Sequence, residues 1–325
     1  MGFKQSSVVS PCRFTSFVQS QTMTKIEVNK VATLGGHKDC VYALGQGPQA
    51  NQFFSSGADG MIVLWDMNDL TKGKLFAKLE ASVYALDYYA ERNVLIIGEN
   101  HEGIHLLDLE TKKEVGTLKL TADRIFDIKT IKDRIFIALG DGNVIILDIN
   151  TLQTIHQFRA SEKSARCIAI NEKTAEFAVG YSDNKIRVYS MIDWELRQEI
   201  DAHKISVFTV QYSPDCRYLI SGSRDAHVKV WDVNNGYSLK ESIVAHMFAI
   251  NHLVYSPDGK HFVTCSMDKS IKVWDAETFT LLKVIDKSRH AGHGTSVNKL
   301  LWSNHNNLLV SGSDDRSLSV WDINF

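Results

Sequence analysis

Short runs in which apolar and polar residues alternate follow one another along almost the whole chain, and they come in sets. The run VYAL at Val41–Leu44 returns unchanged at Val83–Leu86, with Tyr42 and Tyr84 42 positions apart, a spacing in the range that marks repeat architectures. Segments of this pattern begin at Val41, Val83, Ile125, Ala165, Val207, Ile250 and Val297, seven in all. Each is followed by a second alternating stretch, a Gly/Asp/Asn turn, and a third stretch ending at Trp65, Leu107, Leu147, Tyr189, Trp231, Trp274 or Trp321. The stretches are short, rich in Val, Ile and aromatics, and bounded by turn formers such as ADG at Ala58–Gly60, GDGN at Gly140–Asn143 and SPDG at Ser256–Gly259. They read as strands joined by hairpins, no window sustains a helical period, and the chain is predicted to be all-β.

One such small sheet cannot bury both of its faces alone, so neighbouring sets must cover it and the first and last sets must meet. The two ends of the pattern say how. A further strand-like segment follows each of the first six third stretches, WELRQEI at Trp194–Ile200 for example, whereas only Asp322–Phe325 follow Trp321. An orphan segment, KIEVNKVATL at Lys25–Leu34, precedes the first set, and Leu34 stands three residues before His37 as Ile200 stands before His203 and Ile243 before His246. This segment is predicted to pair antiparallel with Ser317–Ile323, which closes a circle and covers an edge otherwise open to aggregation.

Four sets carry His, a hydroxyl, Asp and Trp at one spacing: His37, Ser55, Asp59, Trp65; His203, Ser221, Asp225, Trp231; His246, Thr264, Asp268, Trp274; and His293, Ser311, Asp315, Trp321. The separations are 18, 4 and 6 each time. A hydroxyl, an imidazole and a carboxylate invite a hydrolase reading, but a catalytic set occurs once, beside an oxyanion site, whereas this one recurs in four sets and always includes a Trp with no chemical step to perform. The pattern "GH … SGSxDxxVxVWD", fullest in AHKISVFTVQYSPDCRYLISGSRDAHVKVWD at Ala202–Asp232, resembles the WD40 repeat family over residues 25–325. The resemblance implies a seven-bladed β-propeller, each blade a four-stranded sheet around a channel, closed here by the N-terminal strand completing the last blade. It also implies that each constellation is a buried structural network in which the indole N–H donates to the hydroxyl, the hydroxyl bonds the imidazole and the imidazole bonds the Asp. Blades two to four depart from it: their Trp positions hold Leu107, Leu147 and Tyr189, their hydroxyl positions Ile97, Ile137 and Val179, and only Asp141 and Asp183 remain, which read as turn formers.

Composition narrows the function classes. The 325 residues are 44% hydrophobic and 23% charged with a net charge of −2, ordinary for a globular chain and without a basic field to hold a phosphate backbone. No apolar run approaches the ~20 residues that a spanning helix needs, so no membrane is expected. Five cysteines, Cys12, Cys40, Cys167, Cys216 and Cys265, are odd in number and unpaired in spacing, which fits reduced thiols in a cytoplasmic protein. Residues 1–22 read as a disordered extension ahead of a propeller over 23–325, with a transit-type segment, or a true start at Met23, as the alternatives.

Cys216 stands in SPDC where blade six has the Gly of SPDG, a place that favours positive φ. The segment Asp286–Lys299 is longer than its counterparts and reads as a specialised surface loop; its His290 and His293 lack an evident third ligand, so no metal or cofactor is expected, and His101 and His105 are discounted likewise. The second residue of each opening segment gives the series Tyr42, Tyr84, Phe126, Arg166, Phe208, Asn251 and Asn298, with Arg124 two positions ahead of Phe126. The resemblance puts these at the channel mouth, on the face most often used for partners, although the aromatics could instead fill space between blades. The expectation is a non-catalytic scaffold, monomeric alone, that binds a protein or peptide at this mouth. The alternatives are a propeller enzyme or small-ligand binder with its site at the channel, and a phosphopeptide or nucleic-acid reader.

Overall fold

Seven four-stranded antiparallel sheets stand in a ring in the computed structural model, which describes residues 1–2, 26–120 and 123–325. Residues 3–22 of the predicted extension lie outside the described residues. The innermost strands are Val41–Gln46, Val83–Tyr89, Ile125–Ile131, Ala165–Asn171, Val207–Tyr212, Ile250–Tyr255 and Val297–Trp302. They begin at the seven positions that the repeat predicts, each lies beside the inner strands of the blades before and after it, and the first lies beside the last.

The hydrophobic core is divided in the way the small sheets require. Seven apolar clusters are each shared between two adjacent blades and none is internal to one. Val41, Phe53 and Trp65 of blade one, for instance, pack with Leu34, Val310, Leu318 and Val320 of blade seven. The leading residues Val41, Val83, Ile125, Ala165, Val207, Ile250 and Val297 are all fully buried in these interfaces. Because burial is between blades, no blade can be removed without uncovering both of its neighbours.

Closure follows the sequence reading with a small difference in extent. Glu27–Leu34 pairs antiparallel with Leu318–Asn324, from Glu27 opposite Asn324 to Leu34 opposite Leu318, with a register shift between Lys30 and Ala32. The outer strand is anchored at its sides as well: Lys30 Nζ donates to Ala291 O at 2.7 Å and lies 5.5 Å from the Trp321 ring, and Lys283 Nζ donates to Ile26 O at 2.9 Å.

In every blade the pairing of the inner strand with its neighbour slips by one residue at the same place, and the residue left over is Tyr42, Tyr84, Phe126, Arg166, Phe208, Asn251 or Asn298. A bulge of this kind re-aims a side chain out of the alternation of the sheet. The bulge also explains why Val41 and Ala43, two positions apart, pack in different interfaces, where strict alternation would place them on one face. The long segment before blade seven holds one helical turn, Lys287–His290, capped by Asp286, whose carboxylate accepts from Arg289 N at 2.9 Å; four residues are too few to show a helical period. Cys216 has φ 61°, matching Gly259 at 71° in the equivalent turn.

Deleting residues 1–34 is expected to lower the thermal midpoint by about 10 °C or more, whereas deleting 1–22 leaves it within about 2 °C. Superimposable calorimetric traces for the two truncations would show that Glu27–Leu34 does not close the ring.

Candidate functional site

The four His/hydroxyl/Asp/Trp sets are assembled as continuous relays. In blade one Trp65 Nε1 donates to Ser55 Oγ at 2.7 Å, Ser55 Oγ lies 2.7 Å from His37 Nε2, and His37 Nδ1 lies 3.0 Å from Asp59 Oδ2. The same chain runs through Trp231, Ser221, His203 and Asp225 at 2.9, 2.8 and 3.2 Å, through Trp274, Thr264, His246 and Asp268 at 2.9, 2.8 and 2.9 Å, and through Trp321, Ser311, His293 and Asp315 at 2.9 Å throughout. The indole can only donate, so the hydroxyl accepts from it and gives its own proton to Nε2; the imidazole is then neutral with its proton on Nδ1, pointing at the carboxylate. The hydroxyls are fully buried, and each accepts from an indole and gives its proton to an imidazole inside the blade, so none is presented to a substrate.

Burial pushes Asp225, Asp268 and Asp315 upward, but hydrogen bonds from the imidazole and from neighbouring donors outweigh it and hold all three well below the usual carboxylate range. Burial holds His203 and His246 below the ordinary imidazole value against the pull of their Asp partners. Blades two to four replace the relay. Ile97, Ile137, Val179, Leu107, Leu147 and Tyr189 pack in the apolar clusters, and Leu79 occupies the place of His37, four residues before the inner strand. Asp141 caps its turn through Asn143 N at 2.9 Å. Asp183 does more than the turn role expected of it: besides Lys185 N it takes Arg187 at 2.9 Å, and Arg187 also reaches Glu199 at 2.8 Å over the Tyr181 ring. In blade two His105 bridges Glu99 at 2.9 Å and Glu114 at 2.7 Å.

The seven bulged side chains form an asymmetric mouth. Tyr42 meets Tyr84 edge-on with centroids 4.8 Å apart, Tyr84 stacks on Phe126 at 6.0 Å, and the Arg166 guanidinium lies between Phe126 at 3.8 Å and Phe208 at 4.6 Å. All five are partly buried, so one face of the arc covers its neighbours while the other faces the channel opening. Burial pushes the Arg166 guanidinium down to about 10. The remaining two positions are polar and occupied: Asn251 Nδ2 donates to Val297 O at 2.8 Å, and Asn298 Nδ2 donates to Asp314 Oδ1 at 2.7 Å and Val41 O at 3.1 Å. These amides sew blade six to seven and seven to one.

Below the mouth, residues of all seven inner strands line a channel of about 810 Å³. Its acids serve the same stitching: Asp87 accepts from Thr130 N at 2.7 Å, and Asp127 accepts from Ile168 N at 2.8 Å while Lys129 lies 3.7 Å away. Burial lowers Lys299, and burial together with Lys299 and Lys129 holds His252 well below the ordinary imidazole value, so His252 takes Leu300 N as an acceptor at 3.3 Å. No group of three or more His, Cys, Asp or Glu positioned to hold a metal ion occurs among the described residues; His293 belongs to its relay and His290 ends the helical turn.

The sequence reading missed three side chains on the mouth face. Met247, Phe248 and Met267 are 82%, 59% and 52% exposed, in the loop before blade six's inner strand and the turn after its second strand. Aligning the repeats on the relay His exposes the signal, because Met247 follows His246 where Lys38 follows His37 and Lys204 follows His203.

The chain is similar to known proteins along this same frame. A family profile described as "WD domain, G-beta repeat" matches residues 28–66, 194–232, 237–275 and 285–322, the four stretches that end in Trp-Asp. A striatin homolog of Dictyostelium discoideum is 24% identical over 61% of this chain and 26% of its own length. THO complex subunit 3 of Arabidopsis thaliana is 23% identical over 62% of this chain and 65% of its own, and mouse transducin-like enhancer protein 2 is 22% identical over 57% and 25%. The chain thus spans about a quarter of two of these relatives and under two thirds of the third. The crystal structure of the WD40 β-propeller domain of Doa1 superposes with a TM-score of 0.80 at 18% identity, covering 91% of this chain and 97% of that one.

His203 and His246, and the relay carboxylates Asp59, Asp225, Asp268 and Asp315, bind protons more readily in the unfolded chain than in the folded one. Their contribution to stability is therefore complete above about pH 6.5, and falls as pH drops through the imidazole range and then below about 4. The thermal midpoint is expected to hold between pH 7.5 and about 6.5 and to fall from there to pH 5, and a flat profile down to pH 5 would contradict neutral buried imidazoles at His203 and His246. At pH 7.5 Asp225→Ala is expected to cost about 1–3 kcal/mol in denaturant unfolding, because it leaves His203 Nδ1–H and Lys204 N unpaired.

Proposed function

We propose, from the premise that the chain belongs to the WD40-repeat β-propellers, that it is a non-catalytic scaffold binding a protein or peptide partner at the channel mouth. The observation that carries this reading is the arc Tyr42–Tyr84–Phe126–Arg166–Phe208, five bulged side chains in mutual contact and partly open on one side of the ring. Tyr, Phe and Arg that are already held in place lose little freedom on binding and bury much area, which is the composition of interface hot spots. The relays add support by exclusion, since their hydroxyls and imidazoles are engaged inside the blades and leave the mouth with stacking and ion-pairing groups. A relative that is a subunit of the THO complex agrees with a role inside an assembly. Four free cysteines among the described residues support a cytoplasmic setting.

Affinity capture with the wild-type chain and a Tyr84→Ala/Phe126→Ala/Arg166→Glu variant of matched melting midpoint tests the site. The expected outcome is loss of a specific partner from the variant. Identical captured sets would move the interaction away from the mouth.

A further inference from the structure

Arg166 is the one cation of the arc, and its surroundings specify what it can bind. Its two faces are covered by Phe126 and Phe208, so only the N–H edges of the guanidinium are available, and its side chain makes no ion pair or hydrogen bond among the described residues. A flat fork held in one orientation takes a carboxylate through two parallel bonds, with little further loss of freedom. A second arginine stands on the adjacent blade: Arg224 is exposed in the turn of blade five, and its backbone N–H donates to Ser206 O at 3.0 Å, next to the strand that carries Phe208. Lys163 and Lys204 are exposed in the loops before the inner strands of blades four and five, against Glu162 alone in those loops. Asp183 is paired with Arg187, and Asp225 keeps its charge beside a neutral His203, so Arg166, Arg224, Lys163 and Lys204 stand against Glu162 and Asp225 and this sector keeps an excess of positive charge.

Blade six follows around the rim with a different chemistry. Met247, Phe248 and Met267 form an exposed apolar ledge, fixed by Met247 N on Asp268 Oδ2 and Met267 N on Ala249 O, both at 3.0 Å. The inner strands of blades five and six are neighbours, so the ledge adjoins the cationic sector on one face of the ring. Charge complementarity therefore names the occupant. We propose that the rim over blades four to six receives a short acidic segment of a partner protein, an Asp or Glu carboxylate closing on Arg166 and an apolar side chain beside it packing on Met247, Phe248 and Met267. Arg224 contributes attraction from the outside of the rim. This rests on the mouth reading above and narrows it to one class of peptide.

The test uses the full chain and an array of peptides of about twelve residues randomised over Asp, Glu, Lys, Ser, Leu and Phe, with bound sequences remade as fluorescein-labelled probes for anisotropy. Bound peptides are expected to carry an acid within a few residues of Leu or Phe, and changing that acid to its amide weakens binding about tenfold or more. Arg166→Gln should weaken the acidic peptide by a similar factor while leaving its amide form unaffected, and Arg224→Gln, at an exposed site with no role in packing, should cost about threefold and reduce the salt dependence. Met247→Ser/Phe248→Ser should weaken acid and amide forms alike. Neutral or basic hits, or indifference to the acid-to-amide change, would overturn the proposal while leaving the mouth reading intact, provided that the Tyr84→Ala/Phe126→Ala variant abolishes binding. Preference for phosphoserine over Glu by about tenfold would also overturn it, in favour of a phosphate reader. An array with no bound peptide would count against both readings.

Discussion

A four-stranded sheet with apolar residues on both faces has no stable existence in water, and the whole molecule is organised around that fact. Each of the seven shared clusters is half of one blade and half of the next, so every sheet is covered only because the ring goes all the way round. The pairing of Glu27–Leu34 with Leu318–Asn324 is what converts a row of blades into a circle. It satisfies the backbone edge of blade seven, and it brings Ile26, Val28 and Leu34 onto the apolar surfaces on either side. Around the channel the same requirement appears in polar form, where Asp87, Asp127, His252, Asn251 and Asn298 occupy backbone groups of the blade beside them.

Much of this frame was legible from the chain because a repeat makes the same physical demand many times. The start of every inner strand, the closing segment and the composition of the relays follow from a period and from spacings of 18, 4 and 6 that no single motif could establish. Features that depend on which residue faces which were not legible. The bulge at Tyr42 and its six counterparts is a property of pairing between strands, to which a chain apolar on both faces of each sheet gives no clue. Asp183 looked like a turn former because its side-chain partner Arg187, itself shared with Glu199 of the next strand, depends on which way these side chains point across the sheet. The ledge at Met247, Phe248 and Met267 went unread because an isolated apolar residue in a loop is common, and only its contrast with Lys38 and Lys204 gives it meaning.

Regularity and irregularity divide the labour. The relays in blades one, five, six and seven are alike to within a few tenths of an ångström and hold strands and loops together. The bulged positions differ from blade to blade, and they differ in order: three aromatics, an arginine and an aromatic along one arc, then two amides consumed by stitching. A ring of seven similar units thereby acquires a direction across its face. The bulge supplies the means, since it turns a side chain out of the sheet without altering the packing of the residues on either side of it.

Closure also has a temporal meaning. Residues 27–34 are among the first of the ring to leave the ribosome, and their pairing partner, residues 318–324, is among the last. Throughout translation the early strand must wait as an unpaired ribbon, and its alternation of Glu27, Asn29 and Thr33 with Val28 and Leu34 gives it the mixed character that slows association with a wrong edge. The final contact in the ring joins segments separated by nearly the full length of the chain, so the slowest step in reaching the native state is expected to be the meeting of its two ends.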